Sequence, residues 1–150
     1  MIIYSNMERD QKIIYVREFL KKHNLAVVST LHVEKSGIES AVVAFAETSD
    51  LEIIFGTSTK TRKYKNLQAN KTTSFVIGWS SDVGTLQFEG ESKQIPQEQI
   101  NNYALLLTGK NISNAAFLQN AEQAWFIVKP NWIRLLDTTS NGVGVLELDF

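Results

Sequence analysis

A succession of short β-prone runs, each closed by turn-forming residues, limits what this chain can fold into. Leu25-Ala-Val-Val-Ser-Thr-Leu-His-Val33 is rich in β-branched residues, Glu34-Lys-Ser-Gly37 offers turn chemistry, and Ile38 to Ala46 reads as the returning strand. Glu47-Thr-Ser-Asp50 forms a second turn before a third strand, Leu51 to Phe55. Thr72 to Trp79 is again strand, with Phe75, Ile77 and Trp79 on one side, and Ser80 to Gly84 turns into a longer strand from Thr85 to Ile95. Ala124 to Asp137 is strand interrupted at Pro130, and Asn141-Gly142 is a type I′ pair for a last hairpin. Parallel pairing needs crossovers of a dozen or more residues, and most of these connections are shorter. The pattern predicts a mainly β, α+β chain: an antiparallel β-barrel with short helices rather than a βαβ sheet.

The helical segments are few. Ser5-Asn6-Met7-Glu8 reads as a capping box opening a helix to about residue 23, with Ile13, Val16 and Leu20 on one face. Lys21, Lys22 and His23 crowd its C-terminus, where the macrodipole favours cations. Residues 59–69 form a short helix with Tyr64 and Leu67 facing inward, and residues 97–121, after Pro96, are helical with a break near Gly109. No repeat, linker or low-complexity stretch divides the 150 residues, so one domain over 1–150 is expected.

Composition then removes function classes. Fifteen Lys/Arg against sixteen Asp/Glu leave a net charge of −1, so no global field favours nucleic acid or acidic lipid. The longest apolar run, Ala41 to Ala46, is far short of the roughly 20 residues a membrane helix needs. The opening residues show no basic region before an apolar stretch, and with no cysteine in the chain a cytoplasmic location is expected. Without thiolates there is no zinc-thiolate site, iron–sulfur cluster or Cys nucleophile, and the two histidines, His23 and His32, are not at metal-ligand spacing. No Gly-x-Ser-x-Gly, Gly-x-Gly-x-x-Gly or Walker-type loop occurs.

One segment breaks a local rule. In Gly56-Thr-Ser-Thr-Lys-Thr-Arg-Lys-Tyr-Lys65, a glycine ends a strand, four hydroxyl residues follow, and Arg62 and Lys63 enter the first turn of a helix. Cations there oppose the macrodipole by about 0.3–1 kcal/mol per charge. Free backbone N–H groups, hydroxyls, an Arg and a Lys together make a phosphate cradle. A solvated basic helix face fits the same residues equally well. A nucleic-acid patch fits poorly, because so few cations give too small a footprint in a neutral protein.

Phe55 to Asn70, then Thr73-Ser-Phe-Val-Ile-Gly-Trp79, then Leu86-Gln-Phe-Glu-Gly90 resemble the pyridoxamine 5′-phosphate oxidase-like superfamily of FMN-binding split barrels. Lys22 to Leu31 and the short chain are most similar to its general stress protein branch. The resemblance implies a Greek-key split β-barrel and a homodimer holding FMN in clefts between subunits. It assigns Arg62 and Lys63 to the FMN phosphate and Gly56 and Thr57 to the strand end beside the flavin. Ser40, Ala41, Val42 and Val43, on a strand running to Phe45, line the isoalloxazine ring, and Thr85 faces the cofactor from the neighbouring subunit. The family's vitamin oxidases need a second phosphate site, made by a Lys at the end of the second strand and an Arg-x-His near the C-terminus. Here the strand ends in Phe45 and no histidine follows His32; Tyr103 matches the family's tyrosine, but the arginine four residues on is Leu107.

The resemblance therefore implies a flavin protein that is not a true vitamin oxidase. Three functions follow: an FMN-dependent oxidoreductase of unknown substrate, a non-catalytic flavin-binding stress-response module, or a binder of deazaflavin or haem. Among single residues, His23 reads as a helix end and His32 as an exposed surface residue. Trp79, Trp125 and Trp132 read as core or interface aromatics, and Phe88, Trp125, Phe126 and Trp132 as side chains a dimer seam could bury. Gly90 marks either a bulge or a close backbone approach.

Overall fold

The computed structural model describes residues 2–3, 6–80, 82–138 and 144–150. Strand β1 (Ile2–Ile3) precedes helix α1 (Arg9–Lys21) and a meander of β2 (Leu25–Leu31), β3 (Ile38–Glu47) and β4 (Ile53–Ser58). Helix α2 (Arg62–Ala69) carries the chain to β5 (Thr72–Ser80), which pairs with β2 rather than β4. The spatial order β5-β2-β3-β4 is a Greek key. Strand β6 (Gly84–Gln94) pairs with β5, and β7 (Gln123–Asp137) pairs with both β6 and β4, closing a barrel of β2 to β7. Strand β8 (Gly144–Asp149) flanks the second half of β7, with β1 parallel beside it. The expected antiparallel split barrel is therefore the observed fold.

The barrel interior is aromatic. Phe55, Phe75, Phe88 and Phe126 are fully buried, with Phe55 5.7 Å from both Phe75 and Phe126 and Phe75 5.6 Å from Phe88. A second cluster lies outside the barrel wall. A 3₁₀ helix (Gln97–Tyr103), α3 (Ala104–Gly109) and α4 (Ala115–Leu118) lay Ile100, Leu107 and Leu118 over Ala46, Ile54 and Trp125. Phe88, Trp125 and Phe126 are thus committed within the chain and cannot line a seam with another subunit.

Several local expectations change for identifiable reasons. Helix α1 begins at Arg9 with Glu8 as N-cap, in a capping box with Gln11, whose side chain accepts from the Glu8 N–H at 3.3 Å. The box starting at Ser5 is displaced by this one, and Ser5 itself lies outside the described residues. Strand β7 is not interrupted at Pro130. The register with β6 slips there, placing Pro130 opposite Gly90 and Trp132 opposite Glu89, so the proline sits at a bulge, where a strand accommodates it. In β5 the alternation fails after Ile77, because Gly78 has a φ of +75° and the register with β6 shifts. Trp79 is consequently turned outward and 57% exposed. The Asn141-Gly142 turn lies outside the described residues, although β7 and β8 pair antiparallel on either side of it. Among the described residues no helix is long and apolar enough to cross a membrane.

Candidate functional site

Strands β3 and β4 pair only where Phe45, Ala46 and Glu47 meet Phe55, Ile54 and Ile53. Towards Ile38, β3 is paired on its β2 side alone, and this is the split in the barrel. The Phe45 N–H donates to the Asn24 carbonyl at 3.1 Å, so the amides of Val43, Ala41 and Glu39 turn towards β2. Those of Ser40, Val42 and Ala44 turn to the opposite edge, a row of backbone donors and acceptors beside the split. Side chains follow the pleat: Val43 is buried, Ala41 half-buried, and Ser40 and Val42 lie on the outer face. There the Ser40 hydroxyl is 2.8 Å from that of Ser29.

Strand β4 leads from the split into the first turn of α2. Thr61 is the N-cap, its hydroxyl accepting from the Tyr64 N–H at 3.2 Å and donating to the Ser58 carbonyl at 3.0 Å. Its proton being spent there, the 2.8 Å contact with Thr57 is a donation from the buried Thr57 hydroxyl. Ser58 accepts from the Lys60 N–H at 3.2 Å. These hydroxyls build the loop itself, so the groups left for an anion are the first-turn N–H groups and the cationic side chains of Arg62 and Lys63. Among the described residues no ion pair forms at Lys63. Gly56 answers to packing: a Cβ there would meet Trp125 Cζ3 at 2.9 Å and Gln123 Nε2 at 2.3 Å.

Thr85 is not brought to this cradle. It lies near the start of β6, at the end opposite the Gly90 that pairs with Thr73, and Thr73 pairs with Thr30, whose hydroxyl accepts from Asn66 of α2.

Beside Arg62 lies a network that the sequence pattern did not single out. Arg62 Nη1 is 2.7 Å from Glu39 Oε1. Glu39 Oε2 accepts from Asn66 Nδ2 at 2.6 Å, and the same amide donates to Thr30 Oγ1 at 3.0 Å while Asn66 Oδ1 accepts from the Val33 N–H at 3.1 Å. His32 is not the exposed residue expected. Its side chain is 10% exposed, with Nε2 3.4 Å from Glu39 Oε1. The turn after β2 folds back so that Nδ1 accepts from the N–H groups of Glu34 at 3.0 Å and Lys35 at 3.2 Å, which leaves the ring proton on Nε2, towards Glu39. One signal was available: Val43 and Phe45 face inward on β3, and Glu39 shares their parity, a carboxylate at an inward position. His23, as expected, closes a helix end, with Nδ1 2.8 Å from the Phe19 carbonyl and its ring stacked on Phe19. Among the described residues no group of three or more His, Asp or Glu side chains could hold a metal ion.

The sequence from residue 15 to residue 137 matches the family model for pyridoxamine 5′-phosphate oxidase. The chain belongs to that family. Among solved structures it is similar to a protein related to general stress protein 26 from Clostridium acetobutylicum, at 12% identity and a TM-score of 0.72 over 95% of this chain and 97% of that one. It is also similar to general stress protein 26 from Bacillus anthracis, at 15% identity and a TM-score of 0.63 over 89% and 99% of the two chains. A heme binding protein from Mycobacterium smegmatis shares the fold at 13% identity and a TM-score of 0.74, over 95% of this chain and 60% of that one. No curated protein matches the sequence. In this pyridoxamine 5′-phosphate oxidase family member the split, the first turn of α2 and the Glu39 network all lie inside the matched span.

Proposed function

We propose that residues 1–150 form a single FMN-binding domain acting as a homodimeric flavin-dependent oxidoreductase of unknown substrate. The observation that carries this reading is the juxtaposition, at the split, of a helix first turn bearing Arg62 and Lys63 with the unpaired edge of β3. A phosphate needs charge-assisted donors, and a flat heteroaromatic ring needs a wall with backbone donors. Arg62, Lys63 and the first-turn N–H groups supply the former; the outward amides of Ser40 and Val42 supply the latter, with Ala41 and Val43 behind them. Gly56 and Thr57 shape the strand end, and Thr85 of the partner subunit closes the ring's other side. When bound, FMN supplies hydride and electron transfer. The chain's own residues orient the ring and neutralise its phosphate. Phe45 and Leu107 leave no clamp for a second phosphate, which argues against a phosphorylated vitamin as substrate.

Arg62→Ala is expected to raise the FMN dissociation constant on the order of 10- to 150-fold, since each charge-assisted hydrogen bond contributes about 1.5–3 kcal/mol. Riboflavin, lacking the phosphate, should be far less affected. Fluorescence titration of both flavins checks this, and equal losses for the two would refute the clamp.

The homodimer is supported by the outer face of β2, β3 and β5. Val27 lies between Val42 and Val76 in one row, with Leu25, Ile38 and the exposed Trp79 nearby. Covering such a surface gains roughly 25 cal/mol per Å². If FMN bridges the seam, added FMN should raise the melting temperature and tighten the dimer together. Sedimentation equilibrium and thermal scans over a dilution series test this; a stable monomer with undiminished FMN affinity would remove the shared-cleft arrangement. Bleaching of a yellow protein by NAD(P)H under argon would separate an enzyme from a flavin-storing module.

A further inference from the structure

The Glu39 carboxylate stands inside the proposed phosphate cradle, against Arg62. The Arg62 side chain is 76% exposed, so an unheld guanidinium would sample many rotamers and lose much of that freedom on gripping a phosphate. The Glu39 side chain is 13% exposed and is anchored through Oε2 by the Asn66 amide at 2.6 Å, while Oε1, which accepts no hydrogen bond, lies 3.4 Å from His32 Nε2. Asn66 is itself 1% exposed and tied to Thr30 and the Val33 backbone. A chain of fixed groups thus runs from the barrel wall to the tip of Arg62. Glu39 pairs with the guanidinium at Nη1, and among the described residues no hydrogen bond forms at Nε–H or Nη2, the two groups that together can grip a phosphate at two points.

Two effects oppose each other here. A nearby carboxylate repels the phosphate, but at a guanidinium so open to water the repulsion is screened to roughly threefold in affinity. Pre-setting the arginine rotamer is worth roughly tenfold. Positioning wins. We propose that Glu39 is a positioning residue, holding Arg62 in the orientation that receives the phosphate of the ligand. This rests on the phosphate-cradle reading above.

The test is the ratio of FMN to riboflavin affinity, read by flavin fluorescence in the wild type, Glu39→Gln, Glu39→Asp, Arg62→Ala and the double variant Glu39→Gln/Arg62→Ala. Glu39→Gln should cut the preference for FMN about threefold, the roughly tenfold positioning gain being lost and the roughly threefold repulsion relieved. Glu39→Asp keeps the charge but withdraws it from Nη1, so it should lose preference too; it carries the test should Glu39→Gln fail to fold. In the Arg62→Ala background, Glu39→Gln should cause no further loss and at most a roughly threefold gain, from the repulsion it relieves. A raised FMN preference in Glu39→Gln with a wild-type Glu39→Asp would make Glu39 a mere repulsive charge and overturn the proposal. So would equal losses for both flavins, or a loss that persists without Arg62, since a purely structural role would produce these. A wild type with no preference for FMN would sink the cradle reading and this inference with it. A preference abolished by Arg62→Ala but untouched at Glu39 would sink this inference alone.

Discussion

Glu47→Ala should destabilise the fold by about 3–5 kcal/mol, the cost of leaving one member of a buried ion pair alone. For a chain of this size that corresponds to a melting temperature lower by roughly 10 °C or more. The pair is Glu47 Oε2 with Lys110 Nζ at 2.6 Å, their side chains 10% and 15% exposed. Lys110 follows α3 and also donates to the Leu20 carbonyl at 3.2 Å, while its ammonium lies 4.2 Å from the centre of the Phe45 ring. One side chain therefore ties the helical insertion to α1 and to the barrel wall. Burial pushes the Lys110 ammonium below the ordinary lysine range, and the Glu47 hydrogen bond and charge pull it partly back. Removing Glu47 deletes the pull and lowers it further.

The pH dependence follows from that sign. A lysine whose folded-state pKa lies below its unfolded value binds fewer protons when folded, so stability rises with pH between the two values. In Glu47→Ala that window opens at lower pH than in the wild type. The deficit of the variant should thus be largest near neutrality and shrink as pH climbs towards the ordinary lysine range. Urea melts across pH 7 to about 10 read this directly; a deficit independent of pH would refute an unpaired ammonium as its cause. Replacing both partners, as in Glu47→Leu/Lys110→Met, should recover most of the loss, because an apolar pair of similar volume needs no compensation.

Much of the fold was legible because strand periodicity and turn chemistry are local. The meander from Leu25 to Ser58 is written in β-branched runs, and the Greek-key closure follows once β4 cannot turn directly into β5. What stayed hidden depends on residues far apart in sequence. Pro130 looks like a break until Gly90 is placed opposite it. Trp125 and Phe126 look like candidates for a subunit seam until the insertion at 97–118 and the barrel interior are seen to cover them. The candidate site divides the same way. Arg62 and Lys63 announce themselves by opposing the helix dipole, whereas Glu39 needs the fold to bring it and Asn66 together from positions 27 residues apart. Hydroxyls that read as phosphate donors turn out to be spent on capping, a competition that composition cannot resolve.

Gly90→Ala is expected to cost about 3 kcal/mol or more, at the upper end of ordinary overpacking, because the first atom struck is backbone. A Cβ on Gly90 would stand 2.3 Å from the Lys129 carbonyl oxygen and 2.9 Å from Phe88 Cε1. Neither can yield cheaply. Lys129 precedes Pro130 at the bulge where β6 and β7 have already slipped register, and Phe88 is fully buried among the barrel aromatics. The bulge and the close approach, alternatives from sequence, are thus one feature: the slip that accommodates Pro130 presses the Lys129 carbonyl onto β6, and only a glycine leaves room. The barrel closes through this β6–β7 ladder, so the substitution acts on closure rather than on a single contact. Gly109→Ala is the matched control, since nothing lies within 4 Å of a Cβ there. It should be neutral or gain about 0.4–1 kcal/mol by restricting the unfolded chain. Calorimetric scans of the two variants side by side decide the matter: equal melting temperatures would mean that β6 and β7 part easily at the bulge, and that closure does not depend on Gly90.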